Sequence, residues 1–125
     1  MFGKSNRAEQ SKNYFVLPPE QEALSPVEIN EIGENYLYGR NGTVRKSSIA
    51  ANYFRIAADR GNAEAQNNIG NLLLNGLGVE QDMAEAVKYF KMAAAQGDTD
   101  AQKAIDRLKR KEEKEKKRNK REDKQ

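Results

Sequence analysis

The feature that most constrains the fold of this chain is that it repeats itself about every 36 residues. Tyr53-Phe54, Ala57-Ala58 and Gly61 recur as Tyr89-Phe90, Ala93-Ala94 and Gly97, each displaced by 36 positions. Upstream, Ile32-Gly33 recurs as Ile69-Gly70 and Gly39 as Gly76, displaced by 37, so the first copy carries one extra residue in its inner turn. Each period contains two helical patterns. Such a unit cannot bury its own apolar face alone, and stacking copies side by side gives the faces a continuous core. The period therefore predicts an all-α fold: a short solenoid of two helix–turn–helix repeats.

Helix punctuation agrees with the period. Ser25-Pro26-Val27-Glu28 puts Ser at an N-cap, Pro at the first helical position and Glu three residues on, a capping box. The first helix is expected over 26–38, stopped by Gly39. The second is expected over 46–60 before Gly61, and the third over 63–75, between Asn62 as cap and Gly76 as stop. Asp82-Met83-Ala84-Glu85 reads as another capping box opening a helix over 83–96, stopped by Gly97. Asp98 caps a fifth helix beginning near Thr99. It is half a repeat, since Ile105 and Leu108 match Ile69 and Leu72 while Asp106 stands where Gly70 would be. The expected organisation is an extended or disordered segment over 1–24, repeats over 25–61 and 62–97, a capping helix over 98–108, and a charged helical or disordered tail over 109–125. Within the first segment, Tyr14 to Pro19 is the apolar cluster, and it is expected to cover the first repeat's exposed apolar side.

Composition narrows the chemistry. There is no Cys and no His, so no disulfide, no Cys or His metal site, and neither a Cys nucleophile nor a His base is available. No cofactor is expected, and Gly76-Leu77-Gly78 is a helix-to-helix turn without the preceding strand that a phosphate loop needs. Residues 109–125 carry ten Lys or Arg against five Asp or Glu, a balance of +5. The whole chain is +3, so residues 1–108 sum to −2. The basic character thus sits in the tail, where charges of both signs with no interleaved aromatic ring argue against a dedicated nucleic-acid reader. No apolar run approaches the ~20 residues that span a bilayer, and none near the start resembles a secretory signal. The expectation is a soluble cytoplasmic protein.

Residues 63–97, AEAQNNIGNLLLNGLGVEQDMAEAVKYFKMAAAQG, carry Ala65, Ile69-Gly70, Leu72-Leu73, Gly76, Gly78-Val79, Asp82, Ala86, Tyr89-Phe90, Ala93-Ala94 and Gly97. This pattern resembles a Sel-one-like repeat, a relative of the tetratricopeptide repeat. Residues 25–61 follow it more loosely, with Glu28 for Ala65 and Lys46 for the capping Asp82. The resemblance implies a non-catalytic adaptor or scaffold that holds a protein or peptide, and it gives Gly33, Gly61, Gly70, Gly76, Gly97, Tyr53, Phe54, Tyr89 and Phe90 structural roles. Gly inside a helix costs about 1 kcal/mol relative to Ala, so Gly33 and Gly70 predict close approach of the paired helix, with Ala57, Ala58, Ala93 and Ala94 opposite. The four aromatics are expected between successive repeats.

By the same resemblance, the first helix of each pair lines a concave surface. Its expected exposed row is Asn67, Asn71 and Asn75 in the second repeat, with Asn30, Glu34 and Tyr38 before it and Lys103 and Arg107 after it. Asn is a mediocre helix former, and its amide can both donate to and accept from a bound backbone. A row of solvated polar residues would read the same way. Three functions compete: a protein-binding adaptor whose partner carries an acidic stretch; a protein that meets nucleic acid or another acidic surface through the tail; and a subunit that stacks into a homodimer.

Overall fold

The computed structural model describes residues 15–123, and among these it is all-α. A single 3-10 turn, Pro19–Gln21, precedes five α-helices: α1 (Pro26–Tyr38), α2 (Ser47–Asp59), α3 (Ala63–Asn75), α4 (Met83–Ala95) and α5 (Thr99–Asp123). Successive helices pack on one another in chain order, α1 with α2, α2 with α3, α3 with α4 and α4 with α5. The result is two helical hairpins and a fifth helix arranged as a solenoid of repeats.

Local chemistry explains where the helices start. The Ser25 hydroxyl accepts from the Glu28 amide at 3.2 Å while a Glu28 carboxylate oxygen accepts from the Ser25 amide at 3.0 Å, a complete capping box. Asn62 and Asp98 accept from Ala65 and Ala101 amides at 2.7 and 2.9 Å. Asp82 accepts from the Glu85 amide at 3.0 Å. The reciprocal half of the capping box expected there is missing, because the Glu85 carboxylate is engaged by Arg55 of α2. Lys46 caps α2 with no side-chain bond. Gly39 and Gly76 close α1 and α3 with φ of +68° and +64°, a left-handed turn that a β-carbon would oppose.

The core is built from the inward faces of the hairpins, with Ile29, Phe54, Ile69 and Phe90 fully buried. Gly33 and Gly70 do mark close approaches, and the nearest atoms at each are phenylalanine ring carbons. An ideal β-carbon on Gly33 would lie 2.6 Å from Cε1 of Phe54, and one on Gly70 would lie 2.8 Å from Cε1 of Phe90. Each Phe ring therefore lies flush on the glycine of its own hairpin, which corrects the expectation that all four aromatics sit between repeats. The tyrosines beside them point outward along the stack instead. The Tyr89 hydroxyl donates to Asp59 of the preceding hairpin at 2.8 Å.

Among the described residues no hairpin precedes Tyr53, and residues 15–24 supply the contact. Its hydroxyl donates to Gln21 Oε1 at 2.6 Å, the Phe15 ring meets it edge-on at 5.1 Å, and Leu17 is buried in the core. Tyr14 lies outside the described residues. At the other end, α5 continues without a break to Asp123, with every described side chain after Leu108 exposed.

Candidate protein-binding face

The first helices of successive units lie beside one another, and their facing side chains are polar. Asn68 of α3 donates to Asn30 Oδ1 of α1 at 3.1 Å, and Asn30 in turn donates to Glu34 at 3.2 Å. Asn30 is 2% exposed. It was expected on the exposed row and is instead a buried joint between α1 and α3, because the neighbouring helix covers that side of α1. Its partner Asn68 falls one residue off the row, so helical spacing alone gave no signal for it.

The rest of the row divides by exposure. Glu34 and Asn67 are partly buried, while Tyr38, Asn71, Asn75, Lys103 and Arg107 are exposed. Asn75 donates back to the Asn71 carbonyl at 3.0 Å, so its amide is partly occupied by its own helix. Among the described residues, no hydrogen bond engages the amide of Asn67 or Asn71. Burial, and after it the nearby Glu64 carboxylate, raise the Glu34 carboxyl above the usual carboxylate value, and Arg40 at 3.8 Å offsets part of this. The Arg40 guanidinium also lies 4.6 Å from the centre of the Tyr38 ring. The face therefore runs from carboxylates and an aromatic ring on α1, through amides on α3, to bare cations on α5.

A second polar cluster joins α2 to α4 and was not visible in the sequence. Arg55 binds Glu85 and lies 3.5 Å from the Tyr89 hydroxyl, which donates to Asp59. Burial, then the Asp59 bond, push the Tyr89 phenol up to about 12. Asp59 reads in the sequence as a surface charge at a helix end; its partner is thirty residues away and carries no local signature. Further along, Gln96 bridges to the Gly61 carbonyl at 3.1 Å and to Gln66 at 2.9 Å. These bonds fix the angle between hairpins.

Family comparison agrees with this architecture. The Sel1 repeat model matches residues 29–62 and again 63–98. The chain belongs to the Sel1 repeat family. A Sel1 repeat protein from Oxalobacter formigenes is similar at 34% identity, with a TM-score of 0.64 over 66% of this chain and 24% of that one. A protective antigen of uropathogenic Escherichia coli displaying the same repeat fold, c5321, is similar at 33% identity, with a TM-score of 0.61 over 63% of this chain and 17% of the other. The chain thus spans about a quarter or less of these solved Sel1 repeat structures. Comparison with curated proteins gives no match. Sel1 repeat proteins are typically non-catalytic scaffolds for protein–protein interaction. Among the described residues, no helix is long and apolar enough to cross a membrane.

Proposed function

We propose that this Sel1 repeat protein is a non-catalytic adaptor that holds a protein or peptide partner against the first-helix face, with Asn67 and Asn71 at the centre of the contact. The observation that carries this reading is the pair of unoccupied amides on α3, flanked by exposed Lys103 and Arg107 on α5. Amides can pair with an extended backbone without the desolvation cost of a charge. The cations favour an acidic stretch in the portion of the ligand that crosses α5, and the contact would weaken with salt. The carboxylates of Glu34 and Glu64 favour a basic residue where the same ligand reaches α1.

The test begins with a partner captured by the intact chain and retained by a chain ending at Leu108, which removes the tail as the binding element. Asn67→Ala combined with Asn71→Ala should then weaken that partner's binding by about 1 kcal/mol or more while helicity is kept, since one is exposed and the other half-exposed. Undiminished affinity in the double variant would remove the first-helix face as the site.

A further inference from the structure

The two ends of the stack are finished differently. At the N-terminal end, Phe15, Leu17 and Gln21 take up the contacts that a preceding hairpin would make with Tyr53. At the other end, nothing among the described residues takes against α5 the place that α4 takes against α3. A mostly apolar groove of about 680 Å³ remains between α4 and α5, floored by Met83, Val87, Ile105 and Leu108. Register shows what has been left open. Val87 stands 36 residues after Ala51, which is 1% exposed, and Leu108 stands 36 after Leu72, which is 4% exposed; both Val87 and Leu108 are partly exposed, and Met83 is 47% exposed. The equivalent positions on α2 and α3 are thus buried where those on α4 and α5 are not.

We propose that this groove receives an acidic amphipathic helix from another protein. Continuity with the repeat interfaces sets the shape of the occupant, because at the equivalent place α4, a helix of 13 residues, packs on α3 and bonds to α2. Charge sets its chemistry. Lys91, Lys109 and Lys111 border the groove together with Glu112 and Glu115, so cations outnumber carboxylates there, and the +5 segment 109–125 starts at this border and runs on along α5. The positive excess of the rim and of the 109–125 segment disfavours a second copy, which would bring two such segments together. Head-to-tail stacking of copies is also blocked, because residues 15–24 cover the opposite end.

Another helix of the repeat's own type is disfavoured as well. Such a helix would bring a Phe ring onto the position of Gly70, and here that position is Asp106. A β-carbon on Gly70 would already lie 2.8 Å from the Phe90 ring. The occupant therefore presents an aliphatic face of ordinary depth, with acidic residues along its borders.

The test uses the full chain and two fluorophore-labelled, end-capped synthetic helices of about 14 residues, matched to the length of α4. Both share one Leu/Ala face; one has Glu and the other Lys on the remaining positions. The Glu peptide should bind saturably by fluorescence anisotropy and lose affinity as salt rises, and the Lys peptide should not bind. Val87→Glu should weaken the Glu peptide about tenfold or more, equivalent to 1.4 kcal/mol, and Lys109→Glu several-fold. Asn67→Ala with Asn71→Ala should leave it unchanged, which separates this site from the first-helix face. If Val87→Glu lowers helicity, Lys109→Glu, an exposed change, decides alone. Absence of Glu-peptide binding, equal binding of the Lys peptide, or indifference to the deciding substitution would overturn the proposal. So would a dimer in sedimentation that Val87→Glu dissociates, since a second copy would then hold the groove.

Discussion

At Gly70, helix propensity and packing pull in opposite directions. Replacing Gly by Ala in a helix gains about 1 kcal/mol from propensity. The new methyl would lie 2.8 Å from a Phe90 ring that is fully buried, and forcing bulk into such a contact costs about 1–3 kcal/mol. The contact is expected to win: Gly70→Ala should destabilise, and Gly70→Val more so, as read by the midpoint of a urea titration. The sequence marks Gly70 as costly but does not name the atom that requires it, since a ring and an alanine methyl make the same demand. Tyr89 shows the same limit for polar groups. Its phenol, buried and bonded to Asp59, keeps its proton up to about 12, against 10.0 when free. A raised value means that the folded state holds the proton more tightly, so this group's stabilisation is complete below pH 10 and fades as pH rises toward 12. Tyr89→Phe should be less stable near neutral pH by about 1 kcal/mol and should lose less stability between pH 10 and 12, as followed by thermal melts across that range.

Among the elements, helix starts are the most local feature. Ser25, Asn62 and Asp98 each bond an amide three residues on, so the residue types and spacing that define a cap also build it. The Asp82 cap is only half local: Glu85 has two suitors, and the long-range one, Arg55, takes it. The last helix illustrates the reverse case. Beyond Leu108 it carries only polar and charged residues, and whether such a segment is helical or disordered is undecided by pattern. It is helical to Asp123, and among the described residues one i,i+4 ion pair forms on it, Lys116 to Glu112 at 3.4 Å. Both side chains are largely exposed, so the pair contributes only a few tenths of a kcal/mol. Truncation after Lys111 should therefore lower Tm by no more than about 2–3 °C, because no apolar side chain is lost. A larger drop in calorimetry would show that the tail packs on the body.

At the scale of the whole stack, the described residues form two hairpins and half of a third, and about three repeats are usually needed for stability. The N-terminal segment makes up part of the difference by standing in for a preceding hairpin. Leu17 is 5% exposed within the shared core, and Gln21 occupies for Tyr53 the role that Asp59 has for Tyr89. Leu17→Ala should cost about 2 kcal/mol or more, measured by chemical denaturation, although the residue lies outside both repeats. Stability comparable to the parent would mean that the first repeat needs no cover at that end.

The sequence by itself determined the number of repeats, the order of the helices, most of their caps and the positions where a helix tolerates no side chain. Those properties depend on neighbours within one or two helical turns, or on matching to a copy of the same pattern. Tertiary structure alone decided which polar residues face solvent. Asn30 and Asn67 occupy the same place in the pattern, yet Asn30 is buried against Asn68 while Asn67 is partly open. The period fixes the angle of a side chain around its own helix. Where the next helix lies along that angle depends on contacts thirty or more residues apart, such as Arg55 with Glu85 and Tyr89 with Asp59.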